Sequence, residues 1–220
     1  MTTAVHAVLW FHILAGGIAL VAGLCNVVIG NKGSRVHVGV GRWFWYSMIA
    51  MGASGVVLAI AKPKAGFVLI GLLSLYLVNT GRNALRHQHG GSSGFWFVVA
   101  ASCLVAGMAI GAYGLFLGEA VFGSPPALYL GAAFDAAIFV ALDLRQMLAP
   151  RASRNSRIVE HAWRMIAALL FATFALFVAN PSLFPGWVRA LGINYAPPLA
   201  VFAALAYWVL AVQRGWWRRT

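Results

Sequence analysis

Charged side chains are scarce in this chain. Asp, Glu, Lys and Arg make up 9% of the 220 residues, and only four residues are acidic. A water-soluble domain carries roughly 25% charged residues. A soluble globule this apolar would expose large greasy patches and aggregate. Cysteine is nearly absent too. Cys25 and Cys103 both fall in apolar runs and no CxxC occurs, so two small, buried, inert thiols are expected rather than a disulfide framework. No phosphate loop, nucleophile elbow, zinc-protease helix or dinucleotide fingerprint is present. Met1 to Val5 holds no Lys or Arg, and the apolar stretch after it is too long for a signal-peptide core. That stretch is therefore expected to remain as a first span. No segment is polar enough for a separate soluble domain, and no internal repeat is visible.

Apolar length is abundant instead. Hydrophobic residues reach 62% and mean hydropathy is +0.83. Seven long apolar runs cover about 4–29, 43–61, 66–85, 94–117, 127–148, 158–178 and 199–215. Most approach the roughly 20 residues a helix needs to cross about 30 Å of hydrocarbon. They do not alternate, so helices fit and barrel strands do not. The expectation is an all-α, polytopic transmembrane helix bundle of seven spans, one membrane domain over 1–220, with the lipid bilayer as its partner. Small residues recur every four positions at Ala15, Ala19 and Gly23 and at Cys103, Gly107 and Gly111. Such faces let helix backbones approach closely in lipid.

Sixteen Lys and Arg against four acids give a net charge of +12. On a soluble chain this would point to nucleic acid. Here the basic residues fall between apolar runs, so they read as topology signals and no nucleic-acid partner is expected. Twelve share one side: Lys32, Arg35, Arg42, Arg82, Arg86, Arg145, Arg151, Arg154, Arg157, Arg214, Arg218 and Arg219. The other side holds Lys62, Lys64 and Arg189. The positive-inside rule then puts the N-terminus out and the C-terminus in. Trp43, Trp45, Trp96, Trp163, Trp216 and Trp217 fall near the inner boundary, as an aromatic belt does.

Ionisable groups in hydrocarbon are costly and normally face a partner or a cavity. His12 and Asp135 each lie about eight residues into their spans from the outer end, roughly 12 Å deep. They could pair if spans one and five are neighbours. A second group gathers at the inner end: His37 in the loop before span two, Asp143 and Arg145 ending span five, and Glu160, His161 and Arg164 opening span six. Glu160 and Arg164 are four apart, and His161 and Arg164 three apart, so each pair shares a helix face. These positions suit a polar pocket at the inner mouth, or a salt-bridge network that fixes helix ends. His37 and His161 stand at similar depth on different elements, as the two axial ligands of one b-type haem do. His12 has no such counterpart, because His6 is on its own helix. His87 and His89 lack a third ligand nearby, so no metal site is expected there.

Lys32-Gly33, His37, Gly41, Phe44, Met48, Met51, Ser54-Gly55 and Ala59 form one block. Asp143-Leu144-Arg145, Arg157-Ile158, His161, Trp163-Arg164-Met165, Ala168, Phe184-Pro185 and Pro197 form another. Together they resemble a family of bacterial multi-pass membrane proteins of unknown function, with a histidine-glycine loop after the first span. The resemblance implies an integral protein of the bacterial inner (plasma) membrane. It points to His12, His37, Asp143, Arg145, His161 and Arg164 as the positions to inspect, and implies no reaction. Glu160 precedes His161 where the family pattern has a basic residue, which speaks against an anion-binding pocket.

The leading expectation is an inner-membrane protein whose cytoplasmic-side polar cluster binds a small solute or handles protons, with no resident cofactor. The alternatives are a redox protein holding one b-type haem or acting on quinone through His37 and His161, and an accessory subunit without a site.

Overall fold

In the computed structural model, residues 3–86, 94–148 and 153–215 are described. They form eight helices: α1 (Thr3–Val28), α2 (Arg35–Ala61), α3 (Ala65–Asn83), α4 (Gly94–Leu117), α5 (Pro126–Leu148), α6 (Arg154–Phe177), α7 (Gly186–Ala190) and α8 (Ala196–Gln213). Seven are long and apolar enough to cross a membrane, the last span running Ile193–Gln213. They support an integral membrane protein. No strand occurs among the described residues beyond one isolated bridge, Val121 with Ser124.

The helix starts follow local chemistry. Ser34 caps α2, its hydroxyl accepting from the His37 N–H at 3.2 Å, and Ser153 caps α6 by accepting from Ser156 N–H at 3.1 Å. A serine cap satisfies one of the orphan N–H groups of a first turn. Both helices therefore begin well before their apolar runs. His37, expected in a loop, sits in the first turn of α2. Between the sixth and seventh apolar runs, Pro181–Leu183 and Ile193–Tyr195 form single 3₁₀ turns flanking α7.

α3 is the central helix and packs against α2, α4, α5 and α6. Leu73, Tyr76, Leu77, Val78 and Thr80 on it are wholly buried. The outer helices meet their neighbours through small residues. Ala15, Ala19, Ala22 and Gly23 are the buried face of α1, and Cys103, Gly107, Gly111 and Gly114 belong to that of α4. A Cβ on Gly107 would lie 2.8 Å from the Tyr129 carbonyl and 2.9 Å from the Ala133 methyl, so only glycine permits this α4–α5 approach. Large apolar residues such as Phe95, Phe116, Phe134 and Phe202 point outward, which suits lipid. Cys103 is buried, but Cys25 is exposed on α1, and both are free. The small-residue face of α1 is the one turned inward, and Cys25 is not on it.

The two ends of the bundle differ. At one, the turn before α5 is tied to α3: Ala65 N–H donates to Phe122 O (3.2 Å), Gly66 N–H to the Ser124 hydroxyl (3.1 Å), and the Tyr129 hydroxyl to Val121 O (2.8 Å). Gly123 has φ +69° and lies so close to the Pro63 carbonyl that a side chain would collide with it. This end is closed. The other end carries most of the basic residues and opens into a cavity.

Candidate functional site

Two polar features share the basic end, one on each side of α6. The first is a buried ion network. The Arg164 side chain is completely buried. Its Nη2 donates to Asp143 Oδ1 at 2.6 Å, its Nη1 to the Tyr76 hydroxyl at 2.8 Å, and its Nε to Glu160 Oε2 at 3.2 Å. The indole N–H of Trp163 adds a 2.6 Å bond to the same Glu160 oxygen. Tyr76 stacks on Phe139 with ring centroids 5.5 Å apart. One guanidinium thus ties α3, α5 and α6 together. A charge so deep persists only because it is paired and hydrogen-bonded.

The second feature is a cavity of about 790 Å³ bounded by α1, α2, α3, α6 and α8 and by the loop after α1. Lys32, Arg42, Arg82, Arg86, Arg154 and Arg157 line it, with His37 and His161. No acidic side chain lines it among the described residues. Its deeper wall is apolar, with Phe44, Ile166 and Leu169 buried there. This size falls within the roughly 300–1,000 Å³ of small-molecule sites.

Each cavity group has a local reason for its place. Lys32 closes the C-terminal end of α1, its Nζ donating to Asn26 O (2.5 Å) and Val27 O (3.0 Å) and lying 4.1 Å from the Trp208 ring centre on α8. The carbonyl end of a helix attracts a cation. Burial still pulls the Lys32 ammonium down to about 8, because a desolvated ammonium gives up its proton more readily. The Asn26 amide, turned to match its partners, donates to His37 O (3.1 Å) and accepts from Gly41 N–H (3.0 Å), fixing α1 against α2. The Arg82 guanidinium lies over the Trp45 ring at 3.9 Å. His161 Nδ1 is 2.9 Å from Gly81 O on α3. A carbonyl only accepts, so Nδ1 carries a proton, and in the neutral ring Nε2 keeps a lone pair.

Two buried donors in the cavity wall, Trp45 Nε1 and Arg157 Nε, have no hydrogen-bond partner among the described residues. None of the six cavity cations forms an ion pair among those residues. The lining cations are donors without an acidic partner among those residues, so the cavity is chemically suited to a ligand rich in acceptors.

The expected inner cluster therefore divides. Asp143, Glu160 and Arg164 are brought together in the ion network, the i,i+4 pair among them. His37 and His161 are brought to the cavity. Arg145 is exposed on α5 and joins neither. Glu160, expected to oppose an anion, has its bonded oxygen on Arg164 and Trp163 and is not part of the cavity wall. His12 and Asp135 are not brought together. His12 Nδ1 lies 2.9 Å from Met51 O and 3.1 Å from the Ser54 hydroxyl, both on α2. α1 packs mainly on α2 and α6, while α5 packs on α4 and α3. Equal depth does not make two helices neighbours around a bundle. His87, His89, Arg151, Trp216, Trp217, Arg218 and Arg219 lie outside the described residues.

Sequence reasoning missed Lys32, Arg42, Trp45, Arg82, Arg86, Arg154, Arg157 and Trp208 as cavity residues. The arginines had already been spent on topology, and Trp45 on the aromatic belt. Serine, threonine and asparagine side chains gave no further site: Ser74, Asn79, Thr80 and Thr173 donate to carbonyls of their own helices.

Neither a family model, a curated protein nor a solved structure matches this chain.

Proposed function

We propose that this integral membrane protein binds a small anionic solute in its basic cavity, which faces the cytoplasm with the N-terminus on the outer side. The observation that carries the reading is the cavity wall: six cations and two histidines, with no acid among the described residues. The crowding of Lys and Arg on alternate loops supports the orientation. The likeness to bacterial multi-pass proteins supports an inner-membrane location. Unpaired cations held close repel one another, and a bound anion relieves that repulsion. A ligand that binds only the folded state also raises its thermal stability.

The test is the melting temperature of the purified full chain in chloride, sulfate and pyrophosphate at matched ionic strength. The reading predicts a saturable rise with pyrophosphate that is at least halved in Arg157→Gln. Equal melting temperatures in all three salts would contradict it.

A second reading has its own observation. His161 presents Nε2 while Nδ1 is held by a backbone carbonyl, the arrangement typical of a metal-bound histidine. His37 lines the same cavity. One b-type haem would take His161 and His37 as ligands, with arginines of the same wall available to its propionates, and would supply one-electron chemistry. Quinone, with two carbonyl acceptors, would accept from the cations of the same wall. The haem arm is checked by the absorption spectrum of the reduced, purified protein. A band lost in His161→Ala favours it, and a featureless spectrum removes it.

A further inference from the structure

The rim and the depth of the cavity ask for different chemistry. Arg42, Arg86 and Arg154 are exposed side chains of the cavity wall. Arg157 is partly buried among them with its Nε unmet. Further along α6 the same cavity is walled by Met165, Ile166 and Leu169. From Arg157 to Leu169 is roughly 18 Å along the helix at 1.5 Å per residue. Alongside, Val27, Ile158, Ala162 and Trp208 are half-buried apolar members of the same wall, and beyond them Gly23 packs so tightly on Phe44 and Leu169 that a Cβ there would lie 2.6 Å from a Leu169 methyl, which closes the cavity. At the junction of rim and depth lie two cation–indole contacts, Lys32 on Trp208 and Arg82 on Trp45.

A bare, hydrated anion satisfies only the rim. It would leave the apolar wall to water, and water needs two to four polar partners that Val27, Ile158 and Met165 do not offer. A neutral lipid satisfies only the apolar wall and leaves the guanidinia of the rim without acceptors. Phosphate suits several converging guanidinia, because it accepts from arginine in bidentate fashion and carries more charge than a carboxylate. Resting on the anion reading above, we infer that the cavity takes an amphipathic phosphate: an anionic phosphate head group held at the arginine rim, on an alkyl or prenyl body seated against the apolar depth. The bilayer and the aqueous phase are the two sources of such phosphate chemistry, and they are separated by the body the ligand carries.

The experiment is equilibrium binding of three radiolabelled probes to the purified full chain in a neutral maltoside detergent: dioctanoyl phosphatidic acid, glycerol 3-phosphate and dioctanoylglycerol. Phosphatidic acid is expected to bind at least tenfold more tightly than either of the others. Arg157→Gln and, separately, the exposed Arg86→Gln are each expected to weaken it at least fivefold without altering dioctanoylglycerol uptake. The second variant guards against a folding defect in the first. Equal affinity for phosphatidic acid and glycerol 3-phosphate would overturn the amphiphile while leaving the anion reading intact. Equal affinity for phosphatidic acid and dioctanoylglycerol would show that the phosphate is not read, and would also overturn it. No saturable binding of any probe, with no pyrophosphate stabilisation, would remove both readings. A haem band in the purified chain would give the cavity to the porphyrin instead.

Discussion

Arg157 and Arg164 stand seven residues apart on α6, about two helical turns, and they lead opposite lives. Arg164 is fully buried and bonded to Asp143, Tyr76 and Glu160. Arg157 lines a cavity without an acid, and its Nε meets no acceptor among the described residues. The same side chain is a structural bolt where the protein supplies its counter-charge. It is a candidate ligand contact where the protein withholds one. Charge type alone does not separate the two roles. The partner inventory around each guanidinium does.

The largest effect should come from breaking the bolt. Arg164→Ala leaves buried Asp143 without its 2.6 Å partner. Removing one member of a buried pair costs about 3–5 kcal/mol. A chemical-unfolding curve in mixed micelles should therefore shift strongly or show no folded baseline. Arg157→Gln should change the same curve by no more than about 0.5 kcal/mol while weakening anion binding. Equal destabilisation by both substitutions would erase the distinction between the two arginines.

His161→Ala comes next. It removes the 2.9 Å bond to Gly81 that ties α3 to α6, a loss of about 1 kcal/mol, seen as a modest fall in melting temperature. His161→Gln can restore a donor toward the carbonyl and should recover part of the stability. If it recovers none, the bond to Gly81 is not what His161 contributes.

The smallest effect concerns pH. Lys32 is held down to about 8 by burial. It is protonated below that value and neutral above it, so an anion loses one attraction as pH rises from 7 to 9. The groups sharing its cavity are Arg42 and His37 on α2, Arg82 on α3, Arg86 in the turn after it, and Arg154, Arg157 and His161 on α6. The arginines keep their charge throughout this range. Affinity for sulfate, whose own charge is constant over that range, should fall a few-fold in the native chain and stay flat in Lys32→Gln. A slope that survives in Lys32→Gln would assign the titration to another group.

The membrane-spanning helices were legible because hydrocarbon demands long apolar runs and satisfied backbones. The early starts of α2 and α6 were available in Ser34 and Ser153, but hydropathy alone masks caps that precede the apolar stretch. Glu160 with Arg164 was legible from helical spacing. Asp143 with Arg164 needed α5 and α6 to be adjacent, which a short connection between them favours. His12 with Asp135 needed α1 and α5 to be adjacent, and position around a bundle is set by packing faces rather than by depth. The cavity was least legible. Its arginines read as topology signals between apolar runs, and its tryptophans as an interfacial belt, so each residue already had a sufficient explanation. Only their convergence on one space without an acid among the described residues, with Glu160 engaged elsewhere, adds a second role.

Arg145 offers the most direct check on that second role, because it counts as much as Arg157 toward the basic end but lies outside the cavity wall. The measurement is pyrophosphate affinity of Arg145→Gln and Arg157→Gln, side by side, in the purified full chain. A cavity site predicts native affinity for the first and at least a fivefold loss for the second. Equal losses, or none in either, would mean that the cations serve topology alone.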